Sequence, residues 1–317
     1  MENQIKKYLI TGAQGFVGYY LLSALLERSN IEIIACSRKN DTTFELGLSP
    51  KIIWESLELQ NPAEVTALIK KYKPHFIVHL AAVSNIFESW QNPLHCINNN
   101  ATLVLNIVDS IRNFSQHTKL LSISSSEVYD TNFQAPFSET SKTFSKNPYA
   151  LSRIFQEEIC TFYSNIYNLN IVNVRPFSHI GPRQTNRFVI PAFIEKVLSN
   201  NDLIRVGNID VVRDFLDVRD VVSAYLLLLE YGQSGQTYNV CSGVGRKLSD
   251  VLQLIMDLSS KNLLIETDSS LLRTNENMVI IGNHNKLKEI TQWQARISFE
   301  QTIQDMILFH KSKFHLN

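Results

Sequence analysis

Apolar residues along this chain fall into short unbroken runs, each followed by a longer stretch of helical period. Residues 8–10 form the first run, and Tyr20, Leu21, Ala24 and Leu25 then recur on one helix face. Further runs at 31–36, 52–59, 76–82, 120–124 and 171–174 predict buried strands. Residues 63–71, 98–112 and 149–167 carry the helical pattern, the last including Ile154, Phe155 and Ile159. Strand and helix in strict alternation predict an α/β, doubly wound parallel sheet. After residue 175 the rhythm changes. A loop over 177–182, helices over 188–198, 221–229 and 248–258, and a short strand over 237–240 predict a smaller mixed α/β lobe. The expected division is a first domain over 1–175, with part of 210–236 returning to it. The second lobe then combines 176–209 and 237–317.

Composition narrows the class. At 317 residues the chain can bury a large core. Thirty basic and thirty acidic residues cancel, so no net field argues for nucleic acid or a membrane surface. The longest apolar cluster, 224–229, is far too short to span a bilayer, and no signal peptide precedes the first strand. Cys36, Cys96, Cys160 and Cys241 form no CxxC pair, which points to reduced thiols in a cytoplasmic protein and to no metal site.

Two stretches carry candidate chemistry. Gly12, Gly15 and Gly18 sit in TGAQGFVG, between the first strand and the first helix. Glycines there allow a tight turn and close backbone approach, and the exposed N–H groups of a helix N-terminus suit a pyrophosphate. At the end of the second strand, Arg38 and Lys39 stand where an acidic residue would select NAD, so a 2′-phosphate and NADP(H) are expected. The second stretch is SSSEVY followed by NPYALSR: Ser125, Tyr149 and, four residues on, Arg153. Positions i and i+4 share a helix face, and a cation beside a phenol favours the phenolate. With a serine hydroxyl this makes a proton-transfer device for an alcohol or ketone. His79, lone among apolar residues, reads as a core histidine.

TGAQGFVG, HLAAVS, SSSEVY, NPYALSR and RPFSHIGP together resemble the extended short-chain dehydrogenase/reductase family, with its Rossmann-like fold. VGNIDVVRDFLDVRDVVSAYLLLLE and QTYNVCSG resemble, more narrowly, the GDP-4-keto-6-deoxy-D-mannose reductases, which form GDP-rhamnose for polysaccharide biosynthesis. The resemblance implies that Gly12, Gly15, Phe16, Val17 and Gly18 hold the cofactor pyrophosphate, and that Arg38 lies near the ribose. It puts Glu58 and Leu59 near adenine, and Leu80, Ala81, Ala82 and Pro176 along the cofactor. Ser125, Tyr149 and Arg153 become the catalytic set, with Tyr149 and Arg153 also touching the cofactor. Ser84, Ser126, Glu127, Ser178, His179, Arg183, Val189 and Arg213 become the substrate-binding set, Arg213 on the diphosphate. The implied cofactor is NADP(H), with NAD(H) possible. The implied partner is a GDP-sugar, and the implied assembly is a homodimer through the helices at 98–112 and 149–167.

Three positions depart from that pattern: Arg153 replaces a lysine, Ser178 an asparagine and Arg183 a glycine. Two rival readings follow. A dehydratase or epimerase of the same family would use Glu127 as its carboxylate. A non-catalytic, cofactor-binding subunit would be explained by Arg153.

Overall fold

The computed structural model describes residues 5–38, 46, 49–199, 201–272 and 276–314. Lys39, expected beside the cofactor ribose, lies outside the described residues. In chain order the first half comprises β1 (Lys6–Thr11), α1 (Phe16–Leu26), β2 (Ile31–Ser37), β3 (Ile52–Ser56), α2 (Pro62–Tyr72), β4 (Phe76–His79), α3 (Ile86–Gln91), α4 (Pro93–Phe114), β5 (Lys119–Ile123), α5 (Pro148–Tyr167) and β6 (Ile171–Pro176). The second half comprises β7 (Ser178–Ile180), α6 (Val189–Leu198), β8 (Leu203–Val206), β9 (Val212–Asp217), α7 (Val218–Tyr231), β10 (Thr237–Val240), β11 (Gly245–Lys247), α8 (Leu248–Leu258), β12 (Leu264–Thr267), β13 (Val279–Ile280), α9 (Asn285–Thr291) and α10 (Phe299–Phe314).

The main sheet is parallel throughout, in the order β10-β6-β5-β4-β1-β2-β3. Its strands are apolar on both faces because helices cover both. On one face α1, α7 and α9 bury Leu21, Leu22, Leu25, Val221, Tyr225 and Leu287. On the other, α2, α4 and α5 bury Leu68, Ile69, Val104, Ile107, Ile111 and Cys160. Each such aliphatic side chain contributes roughly 2 kcal/mol on leaving water. Helix starts are written locally: Asn61-Pro62, Asn92-Pro93 and Asn147-Pro148 each cap a helix with an asparagine carbonyl and fill its first position with proline.

The second lobe is built differently. β11, β9 and β13 form a small mixed sheet to which β7 adds through β9, and β8 pairs with β12. Its core lies among α6, α8 and α10, with Ile194, Val197, Leu252, Ile255 and Ile303 buried.

Several boundaries move relative to the sequence reading. β10 is an edge strand of the main sheet, and α9 packs in the first core with Trp293. The division expected at 237 therefore cuts through the dinucleotide-type domain, because β10 completes a sheet whose other strands end at residue 176. β3 stops at Ser56 rather than 59, the 177–182 loop contains β7, and 212–217 is a strand instead of a lead-in to α7. The Cys36, Cys96, Cys160 and Cys241 thiols are free and buried. Among the described residues no helix is long and apolar enough to cross a membrane, and no group of three His, Cys, Asp or Glu side chains is placed to hold a metal ion.

Candidate active site

The turn after β1 is shaped for an anion. Gly12 adopts φ +68, and a Cβ there would lie 2.8 Å from the Ala81 backbone nitrogen, so the turn closes directly onto the end of β4. A Cβ at Gly18 would lie 2.3 Å from the Ala13 carbonyl, so only glycine lets α1 sit this low on the turn. α1 starts after Gly15 with no side-chain cap. The N–H groups of Phe16, Val17 and Gly18 head the helix without intrahelical acceptors, at its positive end. Leu80 N donates to Thr11 O at 3.2 Å and Ala81 N to Thr11 Oγ1 at 3.3 Å, which holds Leu80, Ala81 and Ala82 beside the glycine turn. Arg38 and Glu58 follow the carboxyl ends of β2 and β3, both exposed and on the same edge as the turn. Leu59 is buried, and its carbonyl accepts from Asn106 Nδ2. These residues fit a dinucleotide: an uncapped helix start for the pyrophosphate, and a cation next to the strand carrying the ribose edge.

Ser125 follows β5 and caps a 3-10 turn over Ser126–Val128, its Oγ accepting from Glu127 N at 3.2 Å. Across from it Asn147 caps α5 through Ala150 N at 2.7 Å, so Tyr149 enters in the first helical turn and Arg153 in the second. Both are buried, at 7% and 4% exposure. The Arg153 Cζ lies 5.1 Å from the Tyr149 ring centroid. Its Nη1 donates to Ile123 O at 3.0 Å, two residues before Ser125, and to Gln156 Oε1 at 2.6 Å. Arg153 Nε is buried without a partner in the protein. The cation thus lies over the phenol, is tied to the end of the strand that precedes Ser125, and keeps a donor.

Buried polar pairs hold this arrangement. Glu157 takes a bidentate ion pair from Arg175, with Nη2 to Oε2 at 2.7 Å and Nε to Oε1 at 3.0 Å, and accepts from Ser124 Oγ. Asn100 bonds both backbone groups of Val83 and donates to Ser152 Oγ at 2.9 Å, tying α4 to α5 and to the loop after β4. His79 bonds Thr11 Oγ1 through Nδ1 at 2.8 Å. Burial, reinforced by Arg153, pushes its pKa down to about 3, so it stays a neutral core residue.

In the 3-10 turn, Ser126 is buried, and Glu127 Oε2 accepts from Asn147 Nδ2 at 3.3 Å and Asn277 Nδ2 at 3.2 Å. Ser84 is exposed in the loop after β4. Pro176 ends β6, and Ser178 and His179 lie in β7 against Phe215 and Leu216. The His179 ring stacks on Phe16 at 6.2 Å and 3°, and burial lowers its pKa despite the bond to Phe177 O. This carries the 178–183 segment onto the cofactor turn, where Tyr20 Oη donates to Pro182 O at 2.8 Å. Arg183, at φ +72, packs its guanidinium 4.0 Å from the Tyr19 ring and 5.6 Å from that of Phe309. Val189 opens α6. Arg213 donates to its neighbour's carbonyl, Val212 O, at 3.0 Å.

Four residues of the site went unread in the sequence. Asn147 both caps α5 and donates to Glu127, and neither role was read. Gln156, one turn beyond Arg153, gave no signal of its own. Asn277 and Arg246 come from distant, short segments, Asn277 bonding Glu127 from just before β13 and Arg246 lying in β11. Arg246 faces Arg213 across the β9–β11 register, and side chains opposite one another lie on the same sheet face. Its guanidinium lies 4.3 Å from the Phe299 ring, its Nε is buried without a partner, and burial lowers its pKa against the pull of Asp214.

A parallel doubly wound sheet with a glycine cradle, and a Ser–Tyr–cation set at the carboxyl ends of its strands, defines an extended short-chain dehydrogenase/reductase. Residues 9–306 match the family described as GDP-mannose 4,6 dehydratase, and the chain belongs to that family. It is 34% identical over 242 residues to the GDP-6-deoxy-D-mannose reductase of Pseudomonas aeruginosa, covering 74% of this chain and 79% of the relative. It is 27% identical to the GDP-6-deoxy-D-talose 4-dehydrogenase of Aggregatibacter actinomycetemcomitans, over 90% of each chain. The solved structure of RMD from Pseudomonas aeruginosa complexed with NADPH superposes with a TM-score of 0.84, at 28% identity, over 97% of this chain and 99% of that one.

Proposed function

We propose that this protein is an NADPH-dependent oxidoreductase that reduces the C4 ketone of a GDP-4-keto-6-deoxyhexose, giving GDP-rhamnose or a close analogue. The observation that carries the reading is the buried Tyr149 ring with the Arg153 guanidinium over it, anchored to Ile123 beside Ser125. Reduced nicotinamide, when bound, supplies the hydride. Tyr149 gives its proton to the ketone oxygen as charge develops there, and Ser125 donates a hydrogen bond to the same oxygen. Arg153 stabilises the phenolate left behind and holds the nicotinamide ribose through its unpaired edge. Arg213, with Arg246 beside it, holds the diphosphate, a task suited to planar forks of donors. Ser84, Ser126, Glu127, Ser178, His179, Arg183 and Val189 line the sugar and nucleoside side. Arg38 supports NADPH over NADH. The reading implies a cytoplasmic homodimer. Its support is an apolar stripe exposed on the outer faces of α4 and α5, with Leu94, Leu105, Phe155, Phe162 and Ile166.

The test is NADPH oxidation with freshly made GDP-4-keto-6-deoxymannose, with Tyr149→Phe alongside. Removing the proton donor lowers kcat by about 1,000-fold while NADPH still binds. Turnover that survives in Tyr149→Phe overturns the assignment. Glu127, held by two amides next to Ser126, supports a second reading as a dehydratase. Loss of water from GDP-mannose by protein that purifies with oxidised cofactor establishes that reading instead.

A further inference from the structure

The Arg153 side chain is long, and in an open pocket its guanidinium would sample several orientations. Here Nη1 has two acceptors, Ile123 O at 3.0 Å and Gln156 Oε1 at 2.6 Å. Gln156 lies three residues on, on the same helix face, and is fully buried. Its amide cannot turn over. Nε2 donates to Ser122 Oγ at 2.7 Å and to Ile123 O at 2.9 Å, which leaves Oε1 facing the guanidinium. Ser122 Oγ also accepts from Cys160 Sγ at 3.3 Å. The next residue, Glu157, is engaged by Arg175 and Ser124. The group that orients Arg153 is therefore a neutral amide, and the carboxylate nearby is already neutralised elsewhere. Arg153 is held along one edge, its charge is not cancelled, and its buried Nε remains without a protein partner.

We infer that Gln156 is a positioning residue for Arg153: it aims the guanidinium at Tyr149 and the cofactor without neutralising it. The inference rests on the proposed role of Arg153. Its test compares Gln156→Leu in two backgrounds, native and Arg153→Lys. NADPH affinity is read by fluorescence titration, kcat by oxidation, and folding by thermal melts. In the native background Gln156→Leu weakens NADPH about fivefold and lowers kcat about twentyfold, the size of a lost charge-assisted bond. In the Arg153→Lys background the same change alters both by less than about twofold, because the shorter ammonium has no planar edge to aim. Gln156→Glu keeps an acceptor toward Arg153 but adds a counter-charge and gives up the donor to Ser122 Oγ and Ile123 O, so it also loses about tenfold in kcat. Should Gln156→Leu fail to melt cooperatively, Gln156→Met carries the same two-background comparison. Equal losses in both backgrounds, or a native-background variant within twofold of the parent in both readouts, overturn the inference. If turnover survives Tyr149→Phe, the catalytic reading falls, and the NADPH titration alone decides the coupling.

Discussion

The two lobes of this molecule are held by different means. The dinucleotide-type domain is a repetition: buried strand, turn, amphipathic helix, with every strand parallel to its neighbour and apolar on both faces. The second lobe contains strands of two to six residues brought from distant parts of the chain, and polar pins secure its junctions. Asp214 is the chief of these. Fully buried on β9, it accepts from Ser242 N, Ser242 Oγ, Gly243 N and Gly282 N between 2.6 and 3.1 Å. One carboxylate thus joins β9, the turn after β10 and the segment after β13. Asp217 does the same work for α10 through Arg219 and Thr302. A lobe made of repeats can rely on apolar area. A lobe made of fragments needs directional bonds to fix its register, and those bonds place Arg213 and Arg246 side by side.

The sharpest way to break this contrast is Asp214→Ala. It leaves the N–H groups of Ser242, Gly243 and the buried Gly282 without their acceptor and lowers stability by about 4 kcal/mol, read by urea denaturation. Apolar truncations of similar size in α1 would show no accompanying loss of GDP-sugar binding, whereas this variant loses it.

Next in size is an acid effect in the first domain. His79 has a folded-state pKa near 3, below its ordinary value. The unfolded chain therefore binds the extra proton between those values, and stability falls as pH drops below about 6.5, by about 3 kcal/mol at pH 4. His79→Asn keeps a partner for Thr11 and flattens that slope in pH-dependent melts. An unchanged slope would assign the acid sensitivity elsewhere.

Arg213→Ala comes third. Loss of one charged fork costs about 2 kcal/mol, seen as roughly a thirtyfold higher KM for the nucleotide sugar with NADPH affinity unchanged. Arg38→Ala is the smallest and belongs to the other lobe. It reduces the preference for NADPH over NADH by about tenfold, roughly 1.4 kcal/mol, measured as a ratio of kcat/KM values.

The sequence by itself determined the alternation of buried strands and helices, the glycine turn and the shared helix face of Tyr149 and Arg153. All of these are local. Period and the conformational freedom of Gly12 act over a few residues, and the i, i+4 spacing of Tyr149 and Arg153 is fixed by the helix itself. His79 was legible as core for the same reason, since its neighbours are unbroken apolar residues. Only the tertiary structure decided that β10 closes the main sheet, that β7 and β9 pair, that Arg246 faces Arg213 and that Asn277 bonds Glu127. It also decided that Gln156 turns its amide oxygen toward Arg153. Strands as short as Gly245–Lys247 and Val279–Ile280 carry too few residues to show a period. Their place is set by partners far away in the chain, and no local pattern records who those partners are.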